Sequence, residues 1–360
     1  MKKNFLYALM AVALLSGCNN VNEVTDPNYP GLDEEGNEPV EVILGTQSPN
    51  VALSRASVTA DNWAGTSVGV LALAKNTGAD FTTSGGCLLN TTGTIGAGAG
   101  NPITLAGANK FYYPLGNEMN YSFFGFYPAV TPTVGTNQVS LTYTLDGTQD
   151  LLVARAAVDD KLVVGEASFD GYNARYFRKG GDTPNLTFKH LLSKLTFNII
   201  AGVSSEGTTD AAKKIKVTSI KIVGAKNSAL VSLPYGKDNE NIALNFNQGE
   251  ADFTLKEMIG GEEKDAKAVY PADIVDGVGV MMGSGIMLSP GETTYKMSIT
   301  VEDAAGVAIT SPYNITFPGN AKSVAGTAYR INMTINGLEE IKLTTTLTDW
   351  ITGADIDLEL

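Results

Sequence analysis

Apolar and polar residues alternate with a period of two in many short runs along this 360-residue chain. The run SVGVLALA at 67–74 places Val68 and Val70 on one face and Leu71 and Leu73 on the other. Successive side chains of an extended strand point to opposite faces, so this period predicts β-strands and not helices. Similar runs recur at 138–145, 194–200, 213–224, 277–285, 295–303, 329–335 and 341–350. Many such strands, separated by Gly, Pro, Asn and Asp, predict an all-β fold of packed sandwiches.

A turn-rich stretch, GGDTPNL at 180–186, divides these runs into two comparable halves. We therefore predict two tandem β-sandwich domains, an N-terminal one at 40–185 and a C-terminal one at 186–360. A chain of this length is long enough to bury two cores. Helical patterns are rare and short. Only DAAKKI at 210–215 and TLKEMIG at 254–260 favour a helical turn or two.

Near the start of the chain, Lys2 and Lys3 precede a short apolar run that ends at Ser16. This run is too short to cross a bilayer as a helix, which takes about 20 residues. Ser16 and Gly17 directly precede Cys18, and this arrangement resembles a bacterial lipobox. We predict a lipoprotein signal peptide at 1–17, cut before a cysteine that then carries acyl chains as a membrane anchor. The alternative is an ordinary signal peptide with an incidental cysteine.

Residues 18–39 are polar and acidic, contain Pro and Gly, and offer almost nothing to bury. They are predicted to form a flexible stalk between membrane and fold. The chain has two cysteines, so Cys87 is the only one beyond the anchor. This count excludes a disulfide within the mature chain and a cysteine-based zinc site.

The formal net charge of −13 and the lack of clustered Lys and Arg argue against nucleic acid as a partner. His190 is the only histidine, so a histidine metal site has no second ligand. A lone histidine among apolar residues predicts a hydrogen-bonded core position more than a catalytic one. We predict that the chain is not an enzyme and takes no metal or other cofactor.

The segment YSFFGFYP at 121–128 is aromatic on both faces, as expected for a strand buried between two layers. A second aromatic run precedes this segment at 111–113. The aromatic residues of the two runs allow two interpretations. The side chains belong to a sandwich core, or they form an exposed platform on which sugar rings stack. The residues concerned are Phe111, Tyr112, Tyr113, Phe123, Phe124, Phe126 and Tyr127.

Several segments, in their order and spacing, resemble the fimbrillin-like lipoproteins of Bacteroidetes, the Mfa-like and FimA-like subunits of type V pili. The resemblance spans most of the chain. It is carried by the lipobox, the acidic stalk, YSFFGFYP, QDLLVA at 149–154, FKHLLSKLTFNI at 188–199 and LTDWITG at 347–353. It implies two transthyretin-like β-sandwiches in tandem and a lipidated precursor exported to the outer membrane. The resemblance further implies that a trypsin-like, arginine-specific protease cuts in the first loop and that a strand from another subunit fills the groove that opens.

The family mechanism points to particular residues of this sequence. Arg55, in NVALSRAS, lies where the cut is expected, so the chain would be cleaved between Arg55 and Ala56. Residues 40–55 would then be the removable first strand and loop. The candidates for strand exchange are the alternating apolar residues near the two ends of the chain: Val40, Val42, Leu44, Ile356, Leu358 and Leu360.

Three questions stay open at this level. The C-terminal run at 354–360 is either a donor strand for a neighbour or the last strand of its own domain. The subunit could form the stalk, the tip or the anchor of a pilus. A surface glycan-binding lipoprotein of a polysaccharide-uptake system is the alternative to an adhesive pilus subunit of the outer membrane, because the fold suits both roles.

Overall fold

The structure is a computed structural model, and it describes most of the chain outside the N-terminal region and the last residues. The described residues are 30–32, 35–47, 64–76, 78–97, 101–107, 110–115, 119–156, 162–165, 167–202, 215–233, 242–246, 249–269, 279–303, 305–336 and 341–348.

Nearly all of the regular structure in these ranges is β-strand, so the prediction of an all-β fold is confirmed. One short helix, α1 (Ala174–Arg178), and a 3-10 turn, Pro318–Asn320, interrupt the strands. The strands are β1 (Gly45–Gln47), β2 (Ser67–Ala74), β3 (Cys87–Ile95), β4 (Ile103–Leu105), β5 (Tyr121–Tyr127), β6 (Thr133–Val134), β7 (Val139–Thr144), β8 (Leu152–Ala156), β9 (Leu162–Val164), β10 (Ala167–Phe169), β11 (Asn185–His190), β12 (Ser193–Ala201), β13 (Lys216–Lys226), β14 (Ser228–Leu233), β15 (Ala243–Asn245), β16 (Glu250–Thr254), β17 (Lys256–Ile259), β18 (Glu262–Asp265), β19 (Ala268–Val269), β20 (Val280–Leu288), β21 (Thr294–Glu302), β22 (Ala308–Thr316), β23 (Ala328–Ile335) and β24 (Ile341–Thr348).

The largest sheet has seven strands in the order β1-β11-β8-β5-β2-β3-β4. All its pairings are antiparallel except that of β1 with β11, which is parallel. Both faces of this first sheet are buried in its central strands β2, β5 and β8. In β2 the residues Val68 and Val70 enter one hydrophobic core, here called the small core, while Leu71 and Leu73 enter the other, the large core. The two faces read from the sequence of 67–74 are therefore confirmed.

Strand β5 shows the same division among aromatic residues. Tyr121 and Phe123 lie in the small core, whereas Phe124 and Phe126 lie in the large core. Gly125 leaves room for Phe188 of β11, whose ring carbon Cζ would lie 2.5 Å from a Cβ atom at that position. The prediction that this strand is buried between two layers is confirmed.

The remaining strands form three further sheets and two hairpins. The sheet orders are β20-β12-β23-β24, β16-β13-β21-β22 with β19 beside β13, and β15-β14-β7-β6. The hairpins are β9–β10 and β17–β18. Within the second of these sheets all pairings are antiparallel, whereas β12 and β23 run parallel to each other.

Two strands are informative about the predicted boundary between the two domains, which lies between residues 185 and 186. Strand β11, which begins at Asn185, belongs to the first sheet, and β7 pairs over its whole length with β14. Pairing therefore connects the two halves of the sequence directly. The domain limits and the transthyretin-like arrangement of the two sandwiches remain predictions.

The helical interpretation of TLKEMIG at 254–260 is wrong. Residues 256–259 form β17, which turns back into β18 through Gly260 and Gly261, both with positive φ (63° and 87°). Two consecutive residues with positive φ suit the tight turn of a β-hairpin, and this turn outweighs a short helical pattern. DAAKKI at 210–215 lies outside the described residues except for Ile215.

Candidate functional site

Residues 38–47, here called the N-terminal segment, lie against the small core. Val42 and Leu44 are buried, with exposed fractions of 4% and 1%, and Val40 is half-buried. Ile43 points the other way and is 57% exposed. The segment thus presents one apolar face to the core, and full burial of each such side chain contributes about 1.5–3 kcal/mol.

Hydrogen bonds hold the backbone of this segment along its length. The Val42 amide donates to the Phe111 carbonyl (2.8 Å), and the Tyr113 amide donates to the Val40 carbonyl (3.0 Å). One step further, the Ile103 amide donates to the Leu44 carbonyl (2.9 Å). The segment therefore runs antiparallel to 111–113 and then contacts the start of β4.

The end of the segment changes partner and becomes a sheet strand. The Gly45 amide donates to the Pro184 carbonyl (3.0 Å), and β1 then pairs parallel to β11 with Thr46 opposite Leu186. Thr46 is fully buried (0% exposed), and its hydroxyl donates to the Leu186 carbonyl over 2.7 Å. The end of the segment, β1, is thus the first strand in the order of the first sheet, and the segment also covers the small core.

Two polar contacts connect the outer side of the segment with basic side chains of neighbouring elements. Lys110 Nζ lies 2.6 Å from Glu41 Oε2, and Arg178 donates to the Glu38 carbonyl over 2.9 Å. The Lys110 and Glu41 side chains are 57% and 36% exposed, so this ion pair adds little stability. Apolar burial and backbone pairing therefore dominate the attachment of the segment.

Aromatic rings line the small core beneath the segment. Tyr113 lies 5.2 Å from Phe177 and 6.2 Å from Phe123, centroid to centroid, and Tyr172 packs edge-on against Phe123 at 5.7 Å. Burial raises the pKa of Tyr172 to about 12, with a smaller contribution from Tyr176, and burial also raises the pKa of Tyr113. The hydroxyls of Tyr113 and Tyr172 therefore stay protonated and uncharged at physiological pH.

Burial also separates the two interpretations of the aromatic residues. Four of the seven are at most 1% exposed, and the other three are half-buried. Stacking on a sugar ring needs an accessible ring face, which the four buried rings do not offer. The buried ones are Tyr113, Phe123, Phe124 and Phe126, and the half-buried ones are Phe111, Tyr112 and Tyr127.

The single histidine is a buried structural contact. His190 Nδ1 lies 2.8 Å from Asp150 Oδ2, and both residues are buried. The Ser193 hydroxyl nearby donates to the Val324 carbonyl over 2.8 Å. Lys194 is also buried, which lowers its pKa to about 8 against the opposing influence of Asp150. The predicted core position of His190 is confirmed.

Within the described ranges, no helix is long and apolar enough to cross a membrane. Nor does that part of the chain contain three or more His, Cys, Asp or Glu side chains placed to hold a metal ion.

Six of the predicted site residues lie outside the described part of the chain, namely Cys18, Arg55, Ala56, Ile356, Leu358 and Leu360. Sequence reasoning missed Thr46 and the partners of the segment at 101–103, 111–113 and 184–187. Thr46 lies two residues after Leu44, on the same inward face as Val42 and Leu44. The alternation in the sequence therefore indicated that its side chain would point inward. The partners carry no comparable local signal.

Leu44→Ala is expected to lower the free energy of unfolding by about 2 kcal/mol or more, because it removes a buried side chain and leaves a cavity. The neighbouring substitution Ile43→Ala is the matched control, since Ile43 is 57% exposed. Chemical denaturation of both variants measures the difference. Equal losses for the two would contradict the placement of Leu44 against the small core.

Cys87 is expected to react slowly with alkylating reagents in the folded protein. Burial raises the pKa of its thiol to about 11, so at pH 8 only about 0.1% would be thiolate, the reactive form. Unfolding returns the pKa to about 8.5, which raises the thiolate fraction to about a quarter and should speed alkylation by roughly 200-fold. The rate is measured by mass spectrometry in buffer and in denaturant, and equal rates would contradict the expectation.

A family model described as fimbrillin-like matches residues 54–350. None of the curated protein sequences matches the chain. Among solved structures, a candidate cell adhesion protein from Bacteroides uniformis is 17% identical, with 86% of this chain and 98% of that chain covered and a TM-score of 0.49. A fimbrial assembly protein from Parabacteroides distasonis is 12% identical, with coverage of 86% and 99% and a TM-score of 0.40. The fimbrial anchor protein Mfa2 from Porphyromonas gingivalis is 11% identical, with coverage of 87% and 98% and a TM-score of 0.34.

Proposed function

The chain belongs to the fimbrillin-like family, and on this premise we propose that it is a structural subunit of a type V pilus that supports adhesion at the cell surface. The precursor is lipidated at Cys18, exported to the outer membrane and cut after Arg55 by an arginine-specific protease. The cut subunit then polymerises with other pilus subunits by strand exchange.

The N-terminal segment is the observation that carries this proposal. It inserts Val42 and Leu44 into the small core and pairs its backbone with residues of 101–103, 111–113 and 184–187, which together line the groove that holds it. It is followed by 48–63, which contains Arg55. A cut there turns the segment into a separate peptide held only by non-covalent contacts.

Loss of the segment would leave a groove with an apolar floor and unpaired backbone groups, among them the Ile103 amide and the Pro184 carbonyl. Exposed apolar surface and unpaired strand edges both favour pairing with another strand. A strand from a second subunit that repeats the same inward pattern would restore the burial and the hydrogen bonds. Strand exchange would thus link subunits without any change of fold.

We propose the C-terminal run of a neighbouring subunit as the incoming strand. ADIDLEL at 354–360 alternates apolar and acidic residues, with Ile356, Leu358 and Leu360 on one face. It follows β24, which pairs with β23 at the edge of its sheet. The competing assignment, in which the run completes its own domain, predicts subunits that do not depend on it for polymerisation.

The deciding experiment is to purify the surface-exposed form of the protein, sequence its N-terminus and view it by electron microscopy. We expect a chain that begins at Ala56 and assembles into filaments. A surface form that begins at Cys18, keeps its acyl chains and forms no filaments in the presence of the other subunits would contradict the proposal.

Cys18→Ala is expected to abolish acylation of the precursor, because this residue carries the only thiol of the lipobox. The measurement is incorporation of radiolabelled fatty acid, with Cys87→Ala as the matched control that should keep full labelling. Label on the Cys18→Ala protein would refute the lipoprotein assignment.

A further inference from the structure

The groove that holds the N-terminal segment contains one polar feature among its apolar contacts. Val42, Leu44 and Thr46 are the successive inward side chains, and all three are buried. The first two enter the small core, whereas the third donates its hydroxyl to the Leu186 carbonyl over 2.7 Å. A carbonyl oxygen has two lone pairs, so it can accept this bond in addition to a backbone hydrogen bond.

The apolar positions alone do not determine how a strand is placed in this groove. Val40, Val42 and Leu44 are similar residues two positions apart, so a slide by two residues would still point apolar side chains inward. A slide by one residue is excluded, because it would turn Val42 and Leu44 outward and the charged Glu41 inward. The hydroxyl of Thr46 removes the remaining ambiguity, since only one placement brings it to the Leu186 carbonyl.

We propose that the Leu186 carbonyl sets the register and the specificity of the strand that fills this groove. The preferred occupant is a strand of another subunit that runs parallel to β11 and carries two inward apolar residues followed, two positions later, by serine or threonine. This inference rests on the proposed strand exchange, because it specifies the occupant of the same groove. Thr46 is the residue of this chain that meets the requirement.

The C-terminal run at 354–360 lacks the serine or threonine that this preference requires. Aligned on their apolar positions, Ile356 and Leu358 take the places of Val42 and Leu44, and Leu360 takes the place of Thr46. Leucine cannot donate a hydrogen bond to the Leu186 carbonyl. The run is therefore a weaker match to the groove of its own chain type than a strand with threonine at that position would be.

The test measures displacement of the N-terminal segment by synthetic peptides in the full mature chain. A recognition sequence for a site-specific protease replaces residues 53–57, so that cutting does not depend on Arg55. After cutting, fluorescent peptides of residues 38–50 are added with the natural sequence or with Thr46→Ser, Thr46→Val or Ile43→Val. Because the peptides carry these substitutions, no result can come from misfolding of a variant protein.

We expect the natural, Thr46→Ser and Ile43→Val peptides to bind within about two-fold of one another. The Thr46→Val peptide keeps the shape but loses the donor, and one net hydrogen bond corresponds to about five-fold in affinity. Equal binding of the Thr46→Val peptide would overturn the specificity rule and leave strand exchange intact. Failure of every peptide to displace the segment would overturn strand exchange and the rule together.

Discussion

Phe197→Ala is expected to lower the free energy of unfolding by about 3–5 kcal/mol, because it empties a large volume in the core. Phe197 lies in the middle of β12 and is fully buried, as is Leu195 on the same face. Its register partners are Met282 on β20 and Ile331 on β23. All four residues belong to the large core, so neighbouring strands can close only part of the cavity.

Urea unfolding followed by tryptophan fluorescence and circular dichroism measures this loss as a lower midpoint. Ile259→Ala is a suitable control, since it also shortens a large apolar side chain but at a site that is 48% exposed. The control is expected to change the free energy of unfolding by less than about 0.5 kcal/mol. An unchanged midpoint for Phe197→Ala would mean that the inward face of β12 is assigned wrongly.

Arg55→Ala is expected to abolish polymerisation while leaving the fold intact. Without the cut, the N-terminal segment stays covalently attached and keeps the groove filled, so no strand from a neighbour can enter. The expected product is a monomer that remains in the membrane fraction with its acyl chains. Membrane fractionation, N-terminal sequencing and electron microscopy together measure this outcome. Arg55→Lys is the matched control, because it keeps the charge and tests whether the protease needs arginine.

Deletion of 354–360 separates the cut from the assembly step. A chain that lacks the proposed donor strand should still be cleaved after Arg55 but should not form filaments. Filaments of normal length from the Arg55→Ala protein would place the processing site elsewhere. Normal filaments from the deleted chain would instead assign 354–360 to its own domain and require another donor.

Local sequence pattern was sufficient for several strands and for the buried side of those strands. The alternation in 67–74 predicted both faces of β2, and the aromatic run at 121–128 predicted a strand between two layers. The inward face of Val42 and Leu44 followed from the same period. These properties are local, because side-chain direction in an extended chain depends only on position along the strand.

Helical propensity over a few residues was a poorer guide. TLKEMIG at 254–260 has good helix-forming residues, yet the pair Gly260–Gly261 at its end favours a hairpin turn, and residues 256–259 become β17. The one helix of the described chain, α1, is a five-residue piece capped by Asn173, whose side chain accepts a hydrogen bond from the Tyr176 amide. Its first turn depends on packing of Ala174 and Tyr176 into the small core.

By itself, then, the sequence determined the all-β class, the strand faces and the alternating segment at the start of the fold. Only the tertiary structure decided which strands pair: β7 with β14, β1 parallel to β11, and the buried hydroxyl of Thr46 with the carbonyl of a residue 140 positions away. Alternation makes many strands equally able to pair. The choice among them depends on which edges the packed cores bring together, and residues far apart in the chain carry no local mark of that contact.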